Sequence, residues 1–198
     1  MHPHRILILY GTKYGQTAKI ASRVAALLAE SGDTVTSADA RELPRDVKLD
    51  AYDGVIIGAS IIRGRHQPRV RDFVADHFIM LNGMPSAFLS VSGSAASPDE
   101  RRREEARCCA EEFLRATHWR PEIVETVGGA MAFTRYGPLL RWLMKQISKR
   151  NGGPTDTTRD HELTDWSQVQ QFVDRFRDIV DQALPVRPLG TIAPELPK

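Results

Sequence analysis

The chain has 198 residues, 41% of them hydrophobic and 26% charged, with a formal net charge of +2. That is apolar material for one core, so a single domain over residues 1–183 is expected, and the near-balanced charge gives no basis for a nucleic-acid partner. No run approaches the roughly 18–20 apolar residues that span a bilayer.

The start, Met1-His2-Pro3-His4-Arg5, leads into a strand without signal-peptide anatomy, and His2 and His4 are expected to be terminal and mobile. Ile6-Leu7-Ile8-Leu9-Tyr10 reads as a buried strand, and Ile20, Val24, Leu27 and Leu28 recur at helical spacing until Gly32. Thr34-Val35-Thr36 is a short strand near an edge, and the apolar run from Val55 to Ser60 is a strand buried on both faces. Pro68 opens a helix through Val70, Phe73, Val74 and His77, and Ser86 to Ser92 is a fourth strand. A charged helix follows from about Ser97 to Thr117, then a fifth strand from Ile123 to Val127. The last helix begins near Thr164-Asp165-Trp166 and carries Val169, Phe172, Val173, Phe176 and Val180 on one face. From Leu184 four prolines without periodicity read as a loose tail, residues 184–198. Cys108 and Cys109 are adjacent helix residues, one expected buried and one exposed; they form no disulfide framework and fit a reducing cytosol.

Alternating strands and helices predict an α/β fold, a mostly parallel sheet wound on both sides. In such sheets ligands bind beyond the carboxyl ends of the strands. Three loops fall there, and each carries Ser or Thr together with Gly. The first is Gly11-Thr12-Lys13-Tyr14-Gly15-Gln16-Thr17, where a strand turns into a helix whose first N–H groups lack partners. It is neither Gly-x-x-x-x-Gly-Lys-Ser/Thr nor Gly-x-Gly-x-x-Gly, which argues against a triphosphate or a dinucleotide and leaves a loop suited to one terminal phosphate. The others are residues 60–65 and 92–96. Each alone reads equally well as a turn; together they favour a site.

The first loop resembles the FMN-phosphate loop of flavodoxins, Ser/Thr-x-Thr-Gly-x-Thr, except that Tyr14 replaces a hydroxyl-bearing Ser or Thr. The resemblance implies a flavodoxin-like sandwich with a five-stranded parallel sheet of order 2-1-3-4-5. It also implies that Thr12, Lys13, Tyr14, Gly15, Gln16 and Thr17 hold the phosphate. Ser60, Ile61, Ile62, Arg63 and Gly64, with Ser92, Gly93 and Ser94, would embrace the flavin ring. Further stretches narrow the likeness: Tyr52-Asp53-Gly54-Val55-Ile56-Ile57-Gly58-Ala59-Ser60-Ile61, Asn82-Gly83-Met84-Pro85-Ser86-Ala87-Phe88, Trp119-Arg120-Pro121, Gly129-Ala130, Gly152-Gly153-Pro154-Thr155-Asp156-Thr157 and Thr164-Asp165-Trp166. Together they resemble the menaquinone-dependent protoporphyrinogen IX dehydrogenases of bacterial haem synthesis, over about residues 5 to 180. That likeness implies FMN as cofactor, with Asp156 among its contacts. It also implies protoporphyrinogen IX as substrate and a membrane quinone, menaquinone or ubiquinone, as acceptor.

After or within the fifth strand an insertion of about residues 131–160 interrupts the plain doubly wound pattern, and long connections of this kind are usually functional. Leu139, Leu140, Leu143, Met144 and Ile147 fall on one helical face, Arg141, Lys145 and Lys149 on the other, with Trp142 at the flank. Residues 130–154 hold no acidic side chain. Such a helix is either packed on the domain with solvated lysines or suited to an anionic membrane surface or an acidic ligand. The implied tetrapyrrole has two propionates, which Arg135 or Arg141 would pair with, while Trp142 and Lys145 would meet the membrane. The localisation expected is cytoplasmic, peripheral on the inner face of the cell membrane.

No Ser-His-Asp set or zinc spacing is visible. His66, just beyond the second loop, is a weak proton-shuttle candidate, more often a solvated surface residue. Ile61, Ile62, Arg63 and Arg65 stand where flavodoxins carry acidic and aromatic groups, which predicts two-electron rather than one-electron behaviour. Two alternatives remain at this stage: a flavodoxin-like electron-transfer protein, disfavoured by the net charge, and an NAD(P)H quinone reductase, for which no nicotinamide motif is seen.

Overall fold

Alternation along β1 explains the layers. In the computed structural model, which describes residues 3–42 and 47–183, β1 (Arg5–Gly11) places Ile6 and Ile8 on one face and Leu7 and Leu9 on the other, all buried. Then come α1 (Gln16–Glu30), β2 (Thr34–Asp39), β3 (Gly54–Ile62), the two-residue β4 (Arg65–His66), α2 (Pro68–Leu81) and β5 (Ser86–Ser92). The chain continues through α3 (Glu100–Thr117), β6 (Ile123–Gly128), β7 (Ala130–Met131), α4 (Pro138–Arg150), β8 (His161–Glu162) and α5 (Trp166–Ala183).

The main sheet runs β2-β1-β3-β5-β6, all parallel, with β4 antiparallel to the end of β3. Counting parallel strands alone, this is the expected order. Ile6, Ile8 and Ile56 pack under α1 and α5 through residues such as Val24, Phe172 and Phe176. Leu7, Leu9 and Ile57 pack under α2 and α3 through Val70, Val74 and Phe113. Each inner strand thus buries both faces, which is why β1 and β3 read as continuous apolar runs.

The insertion follows β6 rather than interrupting it. It is pinned at its base by the two-residue ladder of β7 and β8, Ala130 opposite Glu162 and Met131 opposite His161. It has its own apolar nucleus of Met131, Ala132, Phe133 and Tyr136, on which Tyr14, Leu140, Met144 and Leu163 pack.

Several local expectations change. His4 is not mobile but buried, with ring nitrogens 3.2 Å from carboxylate oxygens of Asp33 and of Asp181. Arg177 of α5 reaches the same Asp33 at 2.9 Å, so the start of β1 is fastened to the last helix. Neither cysteine is buried: Cys108 is exposed and Cys109 half-buried. His2 and the proline-rich segment 184–198 lie outside the described residues.

Candidate active site

The first loop closes on itself before it meets any ligand. Gly15 takes φ +95° at the N-terminus of α1, and its N–H donates to the Thr12 hydroxyl at 2.9 Å. A side chain at Gly15 would be strained at this φ, and its Cβ would stand 2.9 Å from the Arg135 guanidinium. Thr17 is buried and its Oγ1 has no hydrogen-bond partner. An unsatisfied buried hydroxyl costs about 1–3 kcal/mol, so an oxygen-rich ligand at the N-terminus of α1 would remove a penalty as well as add a bond. Gly11 lets β1 approach α2: a Cβ there would lie 2.5 Å from Val70 Cγ2.

The second and third loops are built alike. Ser60 Oγ accepts from the Gln67 side-chain amide at 3.0 Å, and Ser92 Oγ accepts from the Ala95 N–H at 3.1 Å. Each hydroxyl steadies its own turn as an acceptor and keeps its O–H as a donor. Arg63, at φ 51°, and Gly64, at φ 75°, turn the chain back from β3 into β4.

These loops, at the carboxyl ends of β1, β3 and β5, bound one cleft of about 380 Å³, a cofactor-sized volume. From the predicted set, Thr12, Lys13, Tyr14, Gln16 and Thr17 line it, as do residues 60–64 and 92–94. Its lining includes Lys13, Arg63 and Arg102 and, among the described residues, no carboxylate. The orphaned Thr17 hydroxyl, the free donors and the acid-free wall all fit a phosphate-bearing planar cofactor.

The insertion forms the roof. Leu140, Met144 and Ile147 of α4 line the cleft, while Leu139, Trp142 and Leu143 are 79%, 60% and 45% exposed. The apolar arc expected as one face therefore divides between the cleft and the surface, because only residues near the helix's inner line can touch a surface that the loops shape. The Arg135 Nη1 donates to the Tyr14 carbonyl at 2.7 Å. Arg141 Nε donates to the Phe133 carbonyl at 2.9 Å and Nη2 to that of Tyr136 at 3.1 Å. Both guanidiniums, expected at substrate carboxylates, hold the backbone of the insertion and its contact with the phosphate loop. Lys145 is exposed.

Asp156 does not reach the cleft. It is exposed, accepts from the Thr158 N–H and hydroxyl at 3.0 and 2.6 Å and pairs with Arg159, and the Thr158 hydroxyl, first among these, holds its carboxyl below the usual range. Its segment contributes Gly153 and Pro154 to the lining instead. His66 is neither solvated nor at the cleft: it is buried against Phe88 and Phe113, its Nε2 2.9 Å from Ser90 Oγ. Burial pulls its pKa down to about 4, so the imidazole is neutral at pH 7 and not placed to shuttle protons.

Sequence reasoning missed Arg102, Met131, Tyr136 and Leu163, which also line the cleft. Arg102 did carry a signal, standing four residues before Ala106 on the stripe that Ala106, Ala110, Phe113 and Thr117 bury. Tyr136 is buried, its oxygen accepts from the Ala132 N–H at 3.2 Å, and burial raises its pKa, so the phenol keeps its proton. Where β6 meets the insertion, the Leu163 carbonyl passes so close that a Cβ at Gly128 would lie 2.2 Å from it.

A flavodoxin-domain family model matches residues 7–158. The protoporphyrinogen IX dehydrogenase (quinone) of Escherichia coli (strain K12) is 37% identical over 178 residues, covering 90% of this chain and 97% of that protein. A protein of the same name from Leishmania major is 32% identical over 186 residues, covering 93% of this chain and 79% of its own. Oxidised flavodoxin 1 from Bacillus cereus superposes with a TM-score of 0.54 at 19% identity, covering 88% of this chain and 97% of that one, and shares the fold.

Proposed function

The chain belongs to the flavodoxin-domain family and, within it, to the group of protoporphyrinogen IX dehydrogenases, and from that premise we propose that it dehydrogenates protoporphyrinogen IX to protoporphyrin IX and passes the electrons to a quinone. It is an FMN-dependent oxidoreductase of porphyrin synthesis. When bound, FMN supplies the hydride-accepting chemistry. The protein supplies position and environment.

The observation that carries the reading is the cleft itself, three Ser/Thr/Gly loops with an orphaned Thr17 hydroxyl under an apolar helical roof. Thr17 and the first N–H groups of α1 would hold the phosphate, and Gly15 keeps that approach open. Residues 60–64 and 92–94 would flank the ring. Leu140, Met144 and Ile147 would exclude water from the reacting edge and offer an apolar surface to a macrocycle or a quinone ring. The acid-free wall eases negative charge on the reduced cofactor and supports two-electron behaviour over that of a one-electron carrier.

The acceptor is read as a membrane quinone, menaquinone or ubiquinone, reached from the inner face of the cell membrane. No helix among the described residues is long and apolar enough to cross a membrane. What supports attachment is the outer side of α4, where exposed Leu139, Trp142 and Leu143 alternate with exposed Lys145, Lys149 and Arg150. Apolar side chains among cations suit an interface of anionic headgroups.

The test is anaerobic mixing of purified holoenzyme with protoporphyrinogen IX, NADH or a reduced reductase, following the flavin absorbance. Bleaching by protoporphyrinogen IX, reversed by a menaquinone analogue, is the expected result. Bleaching by NADH or the reductase alone overturns it.

A further inference from the structure

The first turns of α3 carry a dense run of charge, Glu100-Arg101-Arg102-Arg103-Glu104-Glu105 with Arg107 beyond. Three of its four arginines are satisfied on the helix surface. Arg101 pairs with Glu105, Arg103 with Glu100, and Arg107 with Glu100 and Glu104. Among the described residues Arg102 has no ion-pair partner, and its Nε is buried without a hydrogen-bond partner. It lies on the inward stripe of α3, one turn before Ala106, and lines the cleft beside Ser97 and Pro98. A buried guanidinium N–H without an acceptor is costly, and removing that cost takes an acceptor from outside the chain.

That acceptor is best an anion, because the planar guanidinium matches a carboxylate's two oxygens and its neighbourhood in the cleft holds no acid. The cofactor's own anion belongs elsewhere. The phosphate loop follows β1, whereas α3 follows β5, and β3 lies between them. Two strand spacings are roughly 10 Å, beyond reach of one phosphate group. The anion for Arg102 therefore comes with the substrate. Nor do Arg135 and Arg141 compete for it, since both already donate to backbone carbonyls.

We propose that Arg102 is the substrate-carboxylate residue of this enzyme, pairing with a propionate of the porphyrinogen and so setting how the macrocycle lies in the cleft; this rests on the function proposed above. Because it binds an ionised side chain remote from the bonds that change, it acts on affinity and orientation. Its removal should appear in KM more than in kcat.

The experiment compares wild-type holoenzyme with Arg102→Gln and Arg102→Lys, with a menaquinone analogue as acceptor. Each is assayed with protoporphyrinogen IX and with its dimethyl ester in the same detergent. Equilibrium binding of protoporphyrin IX by its Soret band and FMN affinity by fluorescence are measured alongside. In the wild type the diacid should have a KM about tenfold below the ester's, as a charge-assisted pair implies. Arg102→Gln should raise the diacid KM and weaken protoporphyrin binding by about tenfold, leave the ester's KM and FMN affinity within about twofold, and so abolish the discrimination; Arg102→Lys should restore part of it. Equal KM for acid and ester in the wild type overturns the proposal, and this needs no variant to fold. So does an equal loss for both substrates in Arg102→Gln, or a loss of FMN affinity, which would assign Arg102 to the cofactor. A wild type that oxidises neither porphyrinogen overturns the proposed function and this inference together; one that oxidises both alike overturns this inference alone.

Discussion

The Arg135 guanidinium donates to the Tyr14 carbonyl at 2.7 Å, joining residues 121 positions apart. The Tyr14 ring meets Tyr136 edge-on, with centroids 5.0 Å apart. Lys19 and Gln16 of α1 both bond to Glu162 at the far end of the insertion. The insertion is thus latched to the phosphate loop from both of its ends. Tyr14, the departure from the flavodoxin pattern, exchanges a hydroxyl for this contact. Arg135→Ala should therefore weaken FMN binding by roughly tenfold, as loss of a charge-assisted bond implies, while thermal stability of the apoprotein changes little. Fluorescence titration with FMN and with riboflavin checks it. Unchanged FMN affinity would show that the latch does not shape the loop.

His66 sets a pH dependence of stability. Its folded pKa of about 4 lies below the ordinary imidazole value of 6.5, so between these values the unfolded chain binds more protons. The contribution is complete above about pH 6.5 and falls as pH drops towards 4. By pH 5 the loss is on the order of 2 kcal/mol. Urea unfolding at pH 7.5 and 5 should show this loss in the wild type and not in His66→Gln.

Replacing Leu139, Trp142 and Leu143 together by serine should weaken binding to vesicles containing phosphatidylglycerol by about tenfold or more, and raised salt should weaken the wild type too. Stability should stay within about 1 kcal/mol, since all three side chains are exposed. Co-sedimentation measures the first and thermal unfolding the second. Equal sedimentation of both proteins would remove the membrane role from α4.

Gly128→Ala forces a Cβ to within 2.2 Å of the Leu163 carbonyl and 2.8 Å of Ala96 Cβ. Both neighbours are fixed, one a backbone atom and one a Cβ, so the insertion's return strand must shift. A destabilisation of about 1–3 kcal/mol is expected, seen as a drop of several degrees in Tm. An unchanged Tm would mean that β8 can move freely.

Arg63 lines the cleft near the expected ring, so Arg63→Glu should lower the midpoint potential of bound FMN by about 30 mV, the equivalent of 1.4 kcal/mol in a two-electron couple. Spectroelectrochemical titration measures it. The wild type should reduce in one two-electron transition, and a potential unmoved by the swap would place Arg63 away from the ring.

The strands, the helices and the three loops were legible in the sequence because they rest on local rules, while the sheet order came from the family resemblance. Apolar runs mark strands buried on both faces, a 3.6-residue period marks helices, and hydroxyls with glycines mark strand-to-helix turns. Tertiary structure alone decided the partners of charged and polar side chains. Arg135 and Arg141 looked free in an acid-free stretch, yet their acceptors are carbonyls, which every residue carries and no pattern reveals. His4 and His66 looked like terminal and loop residues, and packing buried both. Arg102 looked like one more charge in a solvated run, yet the packing of α3 on the sheet places it at the cleft. Chain-local chemistry determined that a phosphate-bearing cofactor is held; long-range packing decided which arginines line the cleft and which fasten the insertion.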